Sequence, residues 1–424
     1  MNTTIAKDKP WYKWVVVAAC FMMIFLGLGF CSSNKSMYLG AITEALGIKR
    51  SLFSVSDSIR YVATATVNLF FGALVAKFGA RKLVGVGFGC LAAFAAIYML
   101  AEQLWQFYIG GFLLGIGMSF CSTTMVSYLV NRWVPEHRGT VTGAILCANG
   151  IGGALAAQII SPMINDPADP FGYRRAYTMV VIAMLITGVL VTAFVREPRQ
   201  LSGPVATKKK RGKQWTGLSL KEALRKPYFY AASVCVVFTG MALQGIHGIA
   251  ATHMYDVGLD KGYVATVLSI CSLVLACSKF LVGFSYDKLG LRLTVTACDL
   301  FACAAFLCLA LVNTAGGNIF AMSYGILAPL ALPLETVLVP LIAADLFGEK
   351  EFAKMLGIFV SLNVAGYALG TPICNLVFER FGTYAPVLIF FGILMAVIAV
   401  VFQFIMNGAT REQRRAAALE AENE

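Results

Sequence analysis

Charge is scarce in this sequence. Only 13% of its 424 residues are Asp, Glu, Lys or Arg, while 58% are hydrophobic. A soluble protein carries roughly 25% charged residues, so an ordinary water-facing surface is excluded. Short alternating segments are also lacking, which argues against a membrane β-barrel. Paired cysteine or histidine spacings for zinc are absent, and the twelve cysteines fall mostly inside apolar runs, for example Cys20, Cys90, Cys235, Cys271 and Cys303. They read as small packing residues rather than as a disulfide frame. No phosphate loop, nucleophile motif or metal cluster is apparent, so an enzyme or an ATP-driven pump is not expected, and neither is a cofactor or bound metal.

What fills the chain is a succession of apolar runs near 20 residues, each long enough to cross about 30 Å of hydrocarbon as a helix. The expected fold is an all-α polytopic membrane protein with spans near 14–40, 52–76, 83–101, 106–131, 139–163, 175–195, 228–255, 262–286, 292–312, 318–344, 354–378 and 384–406. The first run is too long for the apolar region of a cleavable signal peptide and reads as the first span. Residues 1–195 and 228–406 form two six-helix bundles in this reading. Residues 196–227, containing "REPRQLSGPVATKKKRGKQ", form a linker, and 407–424 form a tail.

The net charge of +12 is explained by topology. With both termini placed in the cytoplasm, 25 of the 34 Lys and Arg fall in inner segments and six in outer loops, with Lys35, Arg60 and Lys279 inside spans. That is the positive-inside bias, and it removes nucleic acid as a partner. The basic linker could also touch anionic lipid. The expected location is the cell membrane, and the protein is expected to be a monomer.

A repeat joins the halves. "GALVAKFGARK" (72–82) and "GFSYDKLGLR" (283–292) share Gly-x-x-x-x-Lys-x-Gly-x-Arg, 211 residues apart. Each closes a helix, turns tightly and opens the next. Duplicated six-helix halves are a transporter architecture. These residues resemble the signature of the major facilitator superfamily. That resemblance implies two pseudo-symmetric bundles and an acid that caps a neighbouring helix. The second copy has this acid as Asp287, whereas the first has Ala76.

Three stretches resemble the monocarboxylate and oxalate–formate branch of that superfamily: "DKPWYKW" (8–14), "NRWVPEHRGTVTG" (131–143) and "NKS" around Lys35. The resemblance implies a carrier of small organic anions. It places a substrate-binding cation at Lys35 in the first span and another at Lys279 in the eighth. The family's arginine is lysine at 279, which loses the bidentate guanidinium fork. The eleventh span has Asn363 and Tyr367 but no lysine beyond its inner end, which weakens an oxalate assignment.

Ionisable groups within spans cost at least about 2.5–3.5 kcal/mol near the helix centre, so each is a candidate. Lys35 either snorkels outward or meets a substrate carboxylate. Lys279 lies about 12 Å of helix from its inner end, where snorkelling is poor. Asp57 and Arg60, three apart, share a face and suit an ion pair or a gate. Glu335, between Pro333 and Pro340, is either a counter-ion or a proton site. Asp299 reads as peripheral and structural. His247, with Gln244 one turn earlier, and Asn149 could contact substrate, although His247 could equally be a packing residue. The leading expectation is alternating-access transport of a small carboxylate, by proton symport or by exchange against a counter-anion. Efflux of a larger aromatic carboxylate is a further transport reading, and a membrane sensor is the non-transport alternative. The duplicated halves and the absence of an effector domain weigh against a sensor.

Overall fold

The computed structural model describes residues 11–32, 38, 41–43, 45–48, 50–164, 169, 171–198, 217–313 and 316–422. Its helices are α1 (Tyr12–Cys31), α2 (Arg50–Leu69), α3 (Phe71–Phe78), α4 (Ala80–Leu100), α5 (Leu104–Phe120), α6 (Thr123–Trp133), α7 (Arg138–Ile164) and α8 (Gly172–Phe194). There follow α9 (Leu220–Ala223), α10 (Pro227–Asp256), α11 (Lys261–Ala310), α12 (Gly317–Ala331), α13 (Val339–Phe347), α14 (Phe352–Phe381) and α15 (Ala385–Glu422). The contacts divide the chain into Met1–Arg199 and Gln200–Glu424.

Among the described residues ten helical stretches are long and apolar enough to cross a membrane, and α2 with α3, bent by 61°, makes an eleventh. The stretch Thr266–Ala310 is 45 residues long, too long for one crossing. Gly290 breaks it with φ +81° and ψ 169°, so it holds two crossings end to end. This accounts for the twelve expected spans. At the α2–α3 bend the Phe70 amide reaches back only three residues, to Val67 O, a tighter turn than the α-helical ladder.

The repeat takes the same form in both units. Gly79 has φ +77° and Gly290 has φ +81°, a region that favours glycine because it has no Cβ. The arginine two residues on then clasps the last span of its half. Arg81 Nε donates to Thr192 O on α8 at 2.8 Å. Arg292 on the 291–310 arm of α11 donates to Gln403 and, at 3.1 Å, to Asn407 Oδ1 on α15.

Close packing repeats as well. A Cβ at Gly29 on α1 would lie 2.8 Å from Gly152 Cα on α7. A Cβ at Gly240 on α10 would lie 2.5 Å from Asn363 O on α14. First and fifth spans thus meet backbone to backbone in each unit. Helix pairs in lipid gain from such small residues because van der Waals contact, not water exclusion, holds them together.

One expected boundary moves. The first helix, expected over 14–40, ends at Cys31 with Ser32 as its cap, and Lys35 lies outside the described residues. Residues 197 and 217–223, inside the expected linker 196–227, make specific contacts. At its start Glu197 engages the first unit. At its close, Leu218 N donates to Phe347 O at 2.9 Å. Ser219 and Glu222 form a capping box on α9, and Leu220 N donates to Glu351 Oε2 at 2.6 Å.

Candidate functional site

A set of buried polar groups that includes both a cation and an acid lies in the second unit, where α10, the 261–289 arm of α11, α12 with its continuation, and α14 pack together. Proline sets its geometry. Pro333 has no N–H to give to the carbonyl four residues back, which is that of Pro329. Ser278 Oγ on α11 donates to this Pro329 carbonyl at 2.7 Å. The freed backbone group is therefore satisfied from the neighbouring helix, as a broken helix in lipid requires.

Beyond Pro333 the chain winds as a π-helix over Leu334–Leu338 before α13 resumes with Pro340 in its first turn. Single π turns inside α-helices are frequent at functional sites because the extra residue re-aims a side chain. The residue carried here is Glu335. It is 9% exposed, it shares a side-chain hydrogen bond with Tyr367 of α14, and its Oε1 is buried without a partner.

Lys279 follows Ser278 on α11 and is only 6% exposed. The helix bearing this cation is pinned by Ser278 to the helix bearing Glu335. Asn363 is 2% exposed and donates through Nδ2 to Val236 O on α10 at 3.2 Å. Its amide thus ties the fifth span of the unit to the first. Tyr367, one turn further along α14, is half-buried, Gln244 is partly exposed and His247 is exposed. His253, given no role by the sequence, is a packing histidine. Its Nε2 lies 3.1 Å from Leu309 O and its ring meets Tyr384 edge-on.

In the first unit Arg60 Nε lies 3.3 Å from Asp57 Oδ1. Neither atom makes an aligned hydrogen bond, so the pair is held by charge rather than by a directed bond. Arg60 Nη1 also donates to Ser32 Oγ at 3.2 Å, and the guanidinium sits 4.3 Å from the Tyr61 ring. Asn149 on α7 is partly exposed. Among the described residues no group of three or more His, Cys, Asp or Glu could hold a metal.

Two residues were missed by sequence reasoning. Glu197 sits in the stretch read as linker, yet its Oε1 accepts from Ala80 N at 3.0 Å, at the start of α4. Its Oε2 lies 3.4 Å from Arg132 Nη1 of α6. An acid therefore does meet the positive end of a helix in the first copy of the repeat, although it comes from 117 residues away rather than from position 76. Asp287, the corresponding acid of the second copy, is half-buried. The neighbouring Tyr286 hydroxyl donates to Asp345 Oδ1 at 2.8 Å. The second missed residue is Asp299. Expected at the periphery, it is 1% exposed.

Comparison with known proteins supplies the family. The Major Facilitator Superfamily model matches residues 17–341. The chain is 24% identical to an uncharacterized transporter of this type, YcxA of Bacillus subtilis (strain 168), over 68% of each chain. It is 23% identical to the sialic acid transporter NanX of Escherichia coli (strain K12), over 67% of this chain and 65% of the relative. It is 24% identical to the oxalate:formate antiporter of Oxalobacter formigenes, over 86% of this chain and 85% of the relative. The E. coli fucose:proton symporter FucP superposes with a TM-score of 0.71 at 16% identity, over 92% of this chain and 98% of that one. The human organic anion transporter MFSD10 gives 0.70 at 13% identity, over 92% and 99%. The family match, the helical fold and the repeated signature agree: this chain belongs to the Major Facilitator Superfamily and is a multi-pass membrane transporter, not an enzyme.

Proposed function

We propose that this protein is a secondary active transporter of small, monocarboxylate-like organic anions in the cell membrane, working by alternating access with a proton as the coupling ion. The observation that carries the reading is Lys279, a cation 6% exposed within a membrane span on a helix tied to the one bearing Glu335. Such a cation faces protein or a water-filled cavity rather than lipid, which makes it a candidate contact for an anionic substrate.

Lys279 and Lys35 attract the carboxylate in this scheme. Gln244, His247, Asn149 and Tyr367 are its candidate hydrogen-bonding surroundings. Asn363, whose amide is given to Val236 O, is a further candidate contact and also positions α14. An anion arriving near Glu335 puts two negative charges into a poorly polarisable interior, which is costly. Glu335 answers this by taking a proton as the anion arrives, with Tyr367 holding the carboxyl in place. Asp57, Arg60 and Asp287 act as gate contacts.

A second reading, anion exchange, is favoured by the long match to the oxalate:formate antiporter. In that case Glu335 is a fixed counter-ion.

The experiment is carboxylate binding to purified protein, read by thermal shift, for wild type and Lys279→Gln. Organic acids should stabilise the wild type, and their neutral amides should not. Lys279→Gln should lose the shift while still reaching the membrane. Equal shifts by acid and amide, or full affinity in Lys279→Gln, would remove this lysine from recognition.

A further inference from the structure

Asp299 is used by nothing described above. It sits near the middle of the 291–310 arm of α11, which the sequence gives an apolar surround, "LTVTACDLFACAAFLCLA". It is 1% exposed, and among the described residues neither Oδ1 nor Oδ2 has a hydrogen-bond partner. Among the described residues that line its cavity there is no cation. The titratable groups that sense it are the thiols of Cys235 on α10 and of Cys298 and Cys303 on its own helix. The residues of the π-helix, α13 and α15 that face it are apolar, Leu334, Ile342 and Phe402 among them. Glu335 is the next residue along from Leu334.

The carboxyl opens on a narrow cavity of about 20 Å3, which Thr239 and Val236 of α10 also line. A single water needs about 10–15 Å3 and two to four polar partners. The cavity therefore suits one water, and Asp299 with the Thr239 hydroxyl supplies the polar lining. An ionised carboxylate here would be a buried charge without a cation, one of the most costly arrangements in a protein interior. A neutral carboxyl has one O–H to give and two oxygens to accept with, and one water can meet that demand.

We propose that Asp299 is a proton-binding site, carried as a neutral carboxyl and hydrogen-bonded to Thr239 through one water in this cavity. The site is separate from Glu335 and does not depend on the substrate reading. It shares scaffolding with Glu335, because Val236 lines the cavity and also accepts the Asn363 amide, one helical turn from Tyr367. The second unit thus holds two buried carboxyls, one partnered by a tyrosine of α14 and one, among the described residues, by no side chain.

The test is infrared absorption of the full-length protein at neutral pH in the Glu335→Gln background, which removes the other buried carboxyl of this unit. A C=O band of a protonated carboxyl equivalent to one group per chain is expected, and Asp299→Asn should abolish it. Should Asp299→Asn fail to accumulate, aspartate labelled with 13C at the side-chain carboxyl makes the same assignment without a change at 299. The band should then shift in the Glu335→Gln protein and persist when Asp57→Asn is added. No such band, a band that survives Asp299→Asn, or a labelled band lost with Asp57→Asn would overturn the proposal. A band that disappears on adding sodium chloride would replace the proton by a sodium ion and overturn it equally.

Discussion

Gly240→Ala tests whether the α10–α14 contact sets the geometry of the site. A Cβ at this position would lie 2.5 Å from Asn363 O, 2.8 Å from Asn363 Nδ2 and 3.2 Å from Tyr367 Cδ1. Ordinary contact begins near 3.4 Å, so the two helices must part by about 0.9 Å. Side-chain rotation cannot relieve this, because the nearest atom is backbone. The Asn363 Nδ2 to Val236 O bond, now 3.2 Å, would then stretch past hydrogen-bonding range. Overpacking costs about 1–3 kcal/mol and a lost hydrogen bond about 1 kcal/mol more. The higher helix propensity of alanine returns up to about 1 kcal/mol. The net expectation is destabilisation of about 1–3 kcal/mol. The assay is thermal unfolding of purified protein, with Gly89→Ala as control. Gly89 has nothing within 4 Å of its added Cβ, so that substitution should be neutral or slightly stabilising. The Gly240→Ala protein should also lose carboxylate-induced stabilisation, since Tyr367 and Glu335 are displaced with α14. Equal unfolding midpoints for the two variants would refute the close-approach argument.

Glu335→Gln keeps the size of the side chain and its hydrogen bond to Tyr367, so it should leave the fold intact and remove acceleration of liposome uptake by an inward proton gradient. In the wild type, coupling to one proton gives up to about tenfold accumulation for each tenfold proton gradient; a wild type that ignores the gradient but responds to internal anion would establish exchange instead. Glu351, outside the spans, predicts a pH effect on the docking of residues 217–225. The Lys354 ammonium, and after it the Leu220 N–H, hold its carboxyl below the usual glutamate range. A depressed carboxyl contributes stability that is present above the unfolded value of about 4.3 and is lost as pH falls through the folded value. Proteolysis of this segment should therefore rise on acidification below that point, and Glu351→Gln should show the raised rate already at neutral pH. An unchanged rate in Glu351→Gln would show that the backbone bonds alone hold the segment.

The sequence by itself determined the class, the number of spans and the duplicated plan. These are local properties. A run of about 20 apolar residues is a crossing wherever it occurs, and the glycine of each repeat needs positive φ whatever packs around it. Tertiary structure alone decided what the side chains meet. Tyr367 joins Glu335 from another helix, Ser278 reaches the carbonyl that Pro333 frees, and Glu197 returns to the start of α4 from a stretch that read as linker. Asp299 is the clearest case. Nothing in "TACDLFAC" separates a peripheral aspartate from one inside the bundle, because lipid-facing and buried side chains in a membrane are equally apolar. The periodicity that reveals the inner face of a soluble helix is therefore faint here, and only the packing of α10, α13 and α15 against the 291–310 arm shows that this carboxyl faces inward.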